Sequence, residues 1–170
     1  MAAPGPLTNS RQHRRQLWAN WVPALIWLGV IALESTDLFG AAHTGEWLRS
    51  LVTAVFGPVS PGWFDLFHAL LRKTGHVVGY GILSFLLFRA WRATLGWIES
   101  AWALRWAAIS FFMTALVAGL DEWHQTYLPS RTGTIRDVFL DSAAALAVQF
   151  LLWVILSRRR ARNAQIVAAD

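Results

Sequence analysis

At 170 residues the chain has the length of about one domain. It is 55% hydrophobic and 15% charged, where a soluble domain carries about 25% charged residues, so disorder of the bulk of the chain is excluded. A mean hydropathy of +0.39 and 11 Trp with 10 Phe suit a bilayer with interfacial aromatics, and the absence of cysteine excludes disulfides, thiolate nucleophiles and cysteine-ligated metals.

In chain order, residues 1–16, with Pro4, Gly5 and Pro6, predict a flexible arm. The first apolar run, Leu17 to Leu33, predicts a membrane span, since a bilayer core takes about 20 residues of helix. A cleaved signal peptide is the alternative. The nearest small-residue pattern, Gly40-Ala41-Ala42, lies beyond Glu34 and Asp37, which favours an uncleaved anchor. Residues 34–72 form the longest connection, broken by Gly57, Pro58, Pro61 and Gly62. Within it, Thr44 to Phe56 (Trp47, Leu48, Leu51, Val52, Val55, Phe56) and Trp63 to Leu71 (Trp63, Phe64, Phe67, Leu70, Leu71) carry the stripe of amphipathic helices. Both are expected on the outer membrane surface. Three further runs follow, Gly75 to Phe88, Trp106 to Leu120 and Val138 to Leu156.

The expected fold is therefore all-α: an integral membrane four-helix bundle with short amphipathic surface helices in the first outer loop. Its parts are the arm at 1–16, a four-span domain at 17–157 and a basic tail at 158–170. A soluble bundle would need polar outer faces, which Ile82 to Phe88 and Val148 to Leu156 hardly possess.

The cations set the expected topology. Arg11, Arg14, Arg15, Arg89, Arg92, Arg105, Arg158, Arg159, Arg160 and Arg162 fall on one side. Arg49, Arg72, Lys73, Arg131 and Arg136 fall on the other, with Glu34, Asp37, Glu46, Asp65, Asp121, Glu122, Asp137 and Asp141. The positive-inside rule then puts both termini of a multi-pass protein in the cytoplasm. The net charge of +5 belongs to anchors facing anionic lipid, and no nucleic-acid partner is expected.

Three constellations lie at the expected outer edge. In Arg72 to Gly81, Lys73, His76 and Tyr80 share a helix face, while Gly75 and Gly79 permit close helix approach. In Asp121 to Asp137, Glu122 and Gln125 share a face with His124 beside them, Pro129 follows the helix, and Thr134 with Asp137 reads as a capping box ahead of the last span. In the last span Asp137 and Asp141 stand at i, i+4, with Asp141 about one turn inside the apolar run, where a charge calls for a partner. Arg72 or Lys73 is expected to pair with one of them. Each constellation also has a plain structural reading as snorkelling cations, interhelical hydrogen bonds and helix caps. The surplus of donors and acceptors favours a ligand site of Arg72, Lys73, His76, Tyr80, Glu122, Gln125, Arg131, Asp137 and Asp141. His76, Asp121, Glu122 and His124 are the candidates for acid/base chemistry. Two of the histidines and five acids could ligate a divalent ion, but no established metal motif occurs and neither a metal nor a cofactor is expected. No Gly-x-Ser-x-Gly supplies a serine nucleophile.

The order of Glu34-Ser35-Thr36, RKTGHVVGYGILSF from Arg72 to Phe85, DEWHQTYLPSRTGTIRD from Asp121 to Asp137, and Asp141 resembles the VanZ-like family of small bacterial membrane proteins over roughly residues 20–156. The resemblance implies a helical membrane domain with a polar cluster and, for the founding member, low-level resistance to the lipoglycopeptide teicoplanin; it implies no known reaction. Asp141-Ser142 stands where many members carry Asn or Thr followed by Gly. Two functions follow as expectations. One is binding of a membrane lipid, lipid-linked envelope precursor or lipidated antibiotic at the outer edge of the cytoplasmic membrane. The other is hydrolysis of a lipid phosphate or amide by the same residues.

Overall fold

The computed structural model describes residues 6–95, 102–129, 131 and 133–167; the outer parts of the expected arm and tail, at 1–5 and 168–170, lie outside them. Among the described residues the fold is helical throughout, without strands: α1 (Pro6–Glu34), a 3-10 turn (Asp37–Phe39), α2 (Ala41–Phe56), α3 (Pro61–Leu95), α4 (Leu104–Gln125) and α5 (Ile135–Val167). Segments of α1 (Arg14–Glu34), α4 (Leu104–Gln125) and α5 (Ile135–Asn163) are long and apolar enough to cross a membrane.

Helix runs across three expected boundaries. The arm residues from Pro6 on are helical and continue into the first apolar run, and the basic tail is helical as far as Val167. Trp63 to Leu71, expected as a separate surface helix, is instead the first part of α3, which runs unbroken through Arg72 and Lys73 into the second apolar run. Charges punctuate hydropathy, but they do not break a backbone; arginine and lysine are good helix formers. The start of α3 follows local rules, with Pro61 at its first position, where its missing N–H costs nothing, and the Phe64 N–H bonded to the Ser60 carbonyl. Gly57 closes α2 at φ +80°, a conformation that disfavours any residue with a Cβ.

Helix α3 is the hub, packing on α1, α4 and α5, while α4 also packs on α5. The Trp27 indole donates to the Gly79 carbonyl (2.8 Å) and Trp21 to the Thr94 hydroxyl (2.9 Å), which makes α1 antiparallel to α3. Trp91 meets Met113, and Tyr80 meets Asp121, so α4 is also antiparallel to α3. Lys73 with Asp137 and Gln149 with Ser84 set α5 parallel to it. Ala24, Ile31, Tyr80, Leu83, Leu87 and Ala118 form one apolar core, and Phe88, Trp106 and Ala107 a second toward the other end.

The polarity of this assembly runs opposite to that of a soluble protein. Ser84, Ser110, Thr114, Asp141 and Gln149 are buried, whereas Phe112 and Phe139 are 67% and 71% exposed. An apolar exterior around polar interhelical contacts is the arrangement hydrocarbon selects. Ser110 and Thr114 satisfy their hydroxyls on carbonyls one turn back in α4.

Gly81 lies where α3 meets α5, and an added Cβ would sit in van der Waals contact, 3.4 Å from Val148 Cγ2. Gly81→Ala therefore leaves the thermal midpoint in detergent within about 2 °C of wild type. Gly81→Leu overpacks the contact at about 1–3 kcal/mol and lowers the midpoint by about 2–10 °C. Equal midpoints for the two variants would show that the helices do not approach as described.

Candidate functional site

The end of the assembly at which α1 and α4 finish and α3 and α5 begin their apolar runs collects the charged residues. Each arrives by a local rule. Lys73, His76 and Tyr80 share one face of α3, and each meets a carboxylate: Lys73 Nζ lies 3.0 Å from Asp137 Oδ1, His76 Nδ1 3.2 Å from Asp141 Oδ2, and the Tyr80 hydroxyl donates to Asp121 Oδ2 at 2.7 Å. The expected pairing of Lys73 or Arg72 with an acid of the last span thus resolves to Lys73 with Asp137. Asp141, fully buried, takes the imidazole instead.

Thr134 begins α5 as anticipated, though only half of the capping box forms. Its hydroxyl accepts the Asp137 N–H (3.2 Å) and donates to Asp137 Oδ2 (2.9 Å). The backbone N–H of Thr134 is taken by Glu122 Oε2 at 2.7 Å, which ties the end of α4 to the start of α5. Glu122 and Gln125 are both 4% exposed. Arg131 caps the far side, its Nη2 donating to the carbonyls of Glu34 and Thr36 (3.2 Å for the latter), so the last turn of α1 is held by a guanidinium, which suits its unsatisfied carbonyls.

Two cavities meet at His76. The larger, about 570 Å³, has apolar walls from Phe39, Trp47, Leu48 and Leu71, with Glu34, His43, Thr44, His68, Arg72, His76 and Arg131 as its polar lining. A small chamber of about 30 Å³ lies between Ile31, Ser35, Gly79, Tyr80, Asp121 and Gln125 and shares Glu34, Gly75 and His76 with the larger one. It has room for about one water. Helix α2 forms one wall of the large cavity and is fixed on α3 by three contacts. Arg49 lies 3.2 Å from Asp65 and 4.4 Å over the Phe64 ring, and the Thr44 hydroxyl shares a hydrogen bond with His68 Nε2 (3.1 Å). Burial, and then the neighbouring Arg72 guanidinium, hold the His68 imidazole below its ordinary 6.5 against the opposing pull of Asp65. The cavity's guanidiniums are those of Arg72 and Arg131. Among the described residues neither guanidinium has a carboxylate within 4 Å, the two are close enough to repel one another, and Arg131 Nε is buried without a hydrogen-bond partner.

Of the expected site residues, Arg72, His76 and Arg131 line the large cavity, while Tyr80 and Gln125 line the small chamber. Lys73 and Asp137 form an ion pair and line neither cavity, and Glu122 and Asp141 stand by His76, one atom of each of these three lying within 4.8 Å of the others. Among the acid/base candidates, Asp121 is engaged by Tyr80, and His124 is exposed with its Nδ1 bonded to Ser35 Oγ (3.0 Å), so His124 stands apart from the His76 cluster. The wall contributed by Phe39, His43, Thr44, Trp47 and His68 went unrecognised in the sequence. The one signal for it is Thr44 at the start of the amphipathic stretch, whose hydroxyl meets His68 of the following helix.

Gly133 permits the loop to lie on α4. A methyl group there would collide with the Glu122 carbonyl oxygen and with Thr126 Cγ2. Gly133→Ala must push Thr134 off the Glu122 carboxylate, and we expect the thermal midpoint to fall by about 4 °C or more without loss of helical content by circular dichroism. An unchanged midpoint would rule out the tight loop.

The model of one protein family, described as VanZ/LLP1, matches residues 6–157. No curated protein and no solved structure matches the chain.

Proposed function

The chain belongs to the VanZ/LLP1 family, and we propose that it is a four-span protein of the cytoplasmic membrane whose outer-edge cavity binds an amphiphile, either an envelope lipid through its phosphate-bearing headgroup or a lipoglycopeptide. Helices α1, α3, α4 and α5 cross the bilayer with both termini in the cytoplasm, and α2 lies on the outer surface, its exposed Trp47, Leu51 and Val55 in the interface. Resistance to teicoplanin-type compounds would follow from occupancy or displacement at this cavity. The observation that carries the reading is the pair Arg72 and Arg131, two guanidiniums with no carboxylate within 4 Å among the described residues, on a cavity with apolar walls from Phe39, Trp47, Leu48 and Leu71. Guanidinium is the donor best matched to phosphate, and the apolar wall suits an acyl or prenyl tail. A second reading, hydrolysis of a lipid phosphate or amide, is favoured by one feature, the contact of cavity-lining His76 with the buried Asp141 carboxylate.

The topology is tested by cysteine labelling in this cysteine-free chain. A single cysteine at Ser60 reacts with an impermeant maleimide in intact cells and one at Ser157 does not; the opposite pattern would sink the topology. The ligand is tested by mass spectrometry of lipid that co-purifies in detergent. A charge-assisted hydrogen bond is worth about 1.5–3 kcal/mol, so Arg72→Ala lowers the bound phosphate lipid about tenfold with membrane expression within about twofold. Arg131→Ala does the same with some loss of stability, because Arg131 also holds the end of α1. Undiminished lipid in Arg72→Ala would reject the site.

A further inference from the structure

We propose that His76, Glu122 and Asp141 form a three-ligand site for a divalent transition-metal cation where α3, α4 and α5 meet. One imidazole nitrogen and one oxygen from each carboxylate already lie within 4.8 Å of one another. Bond lengths of about 2.0–2.2 Å place neighbouring ligand atoms about 3.4 Å apart, so modest side-chain adjustment closes the set; His76 Nδ1 and Asp141 Oδ2 are at 3.2 Å. The three residues come from three helices, with separations that match no local metal motif, which is why spacing alone discloses nothing.

A second, independent observation points to a missing partner. Asp141 is 0% exposed, and its Oδ1 has no hydrogen-bond partner, a costly state for a carboxylate inside a helix assembly. The charge count leads the same way. Asp121, Glu122 and Asp141 are gathered about one imidazole, whereas Lys73 is directed to Asp137 and Arg131 to carbonyls, and Arg72, the remaining cation nearby, has no carboxylate within 4 Å among the described residues. A divalent ion would neutralise two of these negative charges.

The surroundings are those of a metal site. The Thr134 N–H holds Glu122 Oε2 at 2.7 Å, the kind of outer contact that orients a ligating carboxylate. His76 borders the chamber with room for about one water, and three protein ligands leave a coordination position to be filled from that side. One nitrogen with two carboxylate oxygens and no sulfur suits Zn²⁺ or Mn²⁺. The inference does not depend on the lipid reading.

The test uses full-length protein in detergent, with any purification tag removed, stripped with EDTA and titrated with Zn²⁺ or Mn²⁺ alone. One of the two ions returns to about one per chain, by elemental analysis after gel filtration, and raises the thermal midpoint by several degrees, because an ion bound only by the folded state stabilises it. The near-isosteric Glu122→Gln and Asp141→Asn each weaken that binding about tenfold or more. Retention of less than about 0.1 ion per chain for both metals, with an unmoved midpoint, would overturn the site and leave His76 and Asp141 as an ion pair. Undiminished binding in both variants would overturn it equally. Should either variant fail to fold, the wild-type titration decides alone. Because no lipid enters the assay, loss of this site and loss of the lipid reading are separate results.

Discussion

Inside a helix assembly that shows an apolar exterior, a polar side chain has only other helices to bond with, and the relation of α3 to α5 is governed by that constraint. Their contacts descend in single file. Lys73 meets Asp137, His76 meets Asp141, Ser84 donates to the Ala145 carbonyl, and Gln149 donates to Ser84. On α5 the positions recur every fourth residue, the spacing that returns side chains to one helix face. Sliding α5 by one turn, about 5.4 Å, would leave either Lys73 or His76 without a carboxylate opposite it and would carry Gln149 away from Ser84. Apolar packing alone would penalise such a slip far less, since lipid and leucine are alike in polarity. The polar file therefore fixes the register, and with it the depth of His76 and Asp141.

The charged end depends on that register and adds a cross-link of its own. Glu122 holds the Thr134 N–H, Thr134 caps Asp137, and Asp137 takes Lys73. One chain of contacts thus runs from the end of α4, through the start of α5, back to α3. Arg131 extends it to the last carbonyls of α1. The cavity is bounded on one side by this network and on the other by α2, which is attached chiefly through Arg49 and Thr44. Under the proposed function, a strongly cross-linked floor under a lightly attached wall suits entry of an amphiphile.

Much of this was legible in the sequence where the cause is local. The apolar runs lie in α1, α3, α4 and α5, and the Thr134 cap follows from its spacing to Asp137. The need of Asp141 for a partner follows from its depth in an apolar run. What stayed hidden depends on which helices meet. The partner of Asp141 is an imidazole from a helix far away in sequence, and Lys73 would have served equally well on charge alone. The continuity of α3 was obscured because Arg72 and Lys73 interrupt hydropathy without interrupting hydrogen bonding. Helix α2 read as a surface element, and that its polar edge closes a cavity over His68 depends on how the loop at Gly57 turns it back.

The parallel pairing of α3 with α5 also bears on how the protein is made. Under the proposed topology α5 leaves the ribosome after α3 and α4, carrying a carboxylate whose insertion costs about 2.5–3.5 kcal/mol at the centre of a span and less near its end. By then His76 is already in the membrane on α3, so Asp141 arrives to a waiting partner, and the apolar run that follows it supplies the drive for entry. The reverse order would strand the charge in lipid until its partner was translated. Chain order and polar pairing are thereby matched.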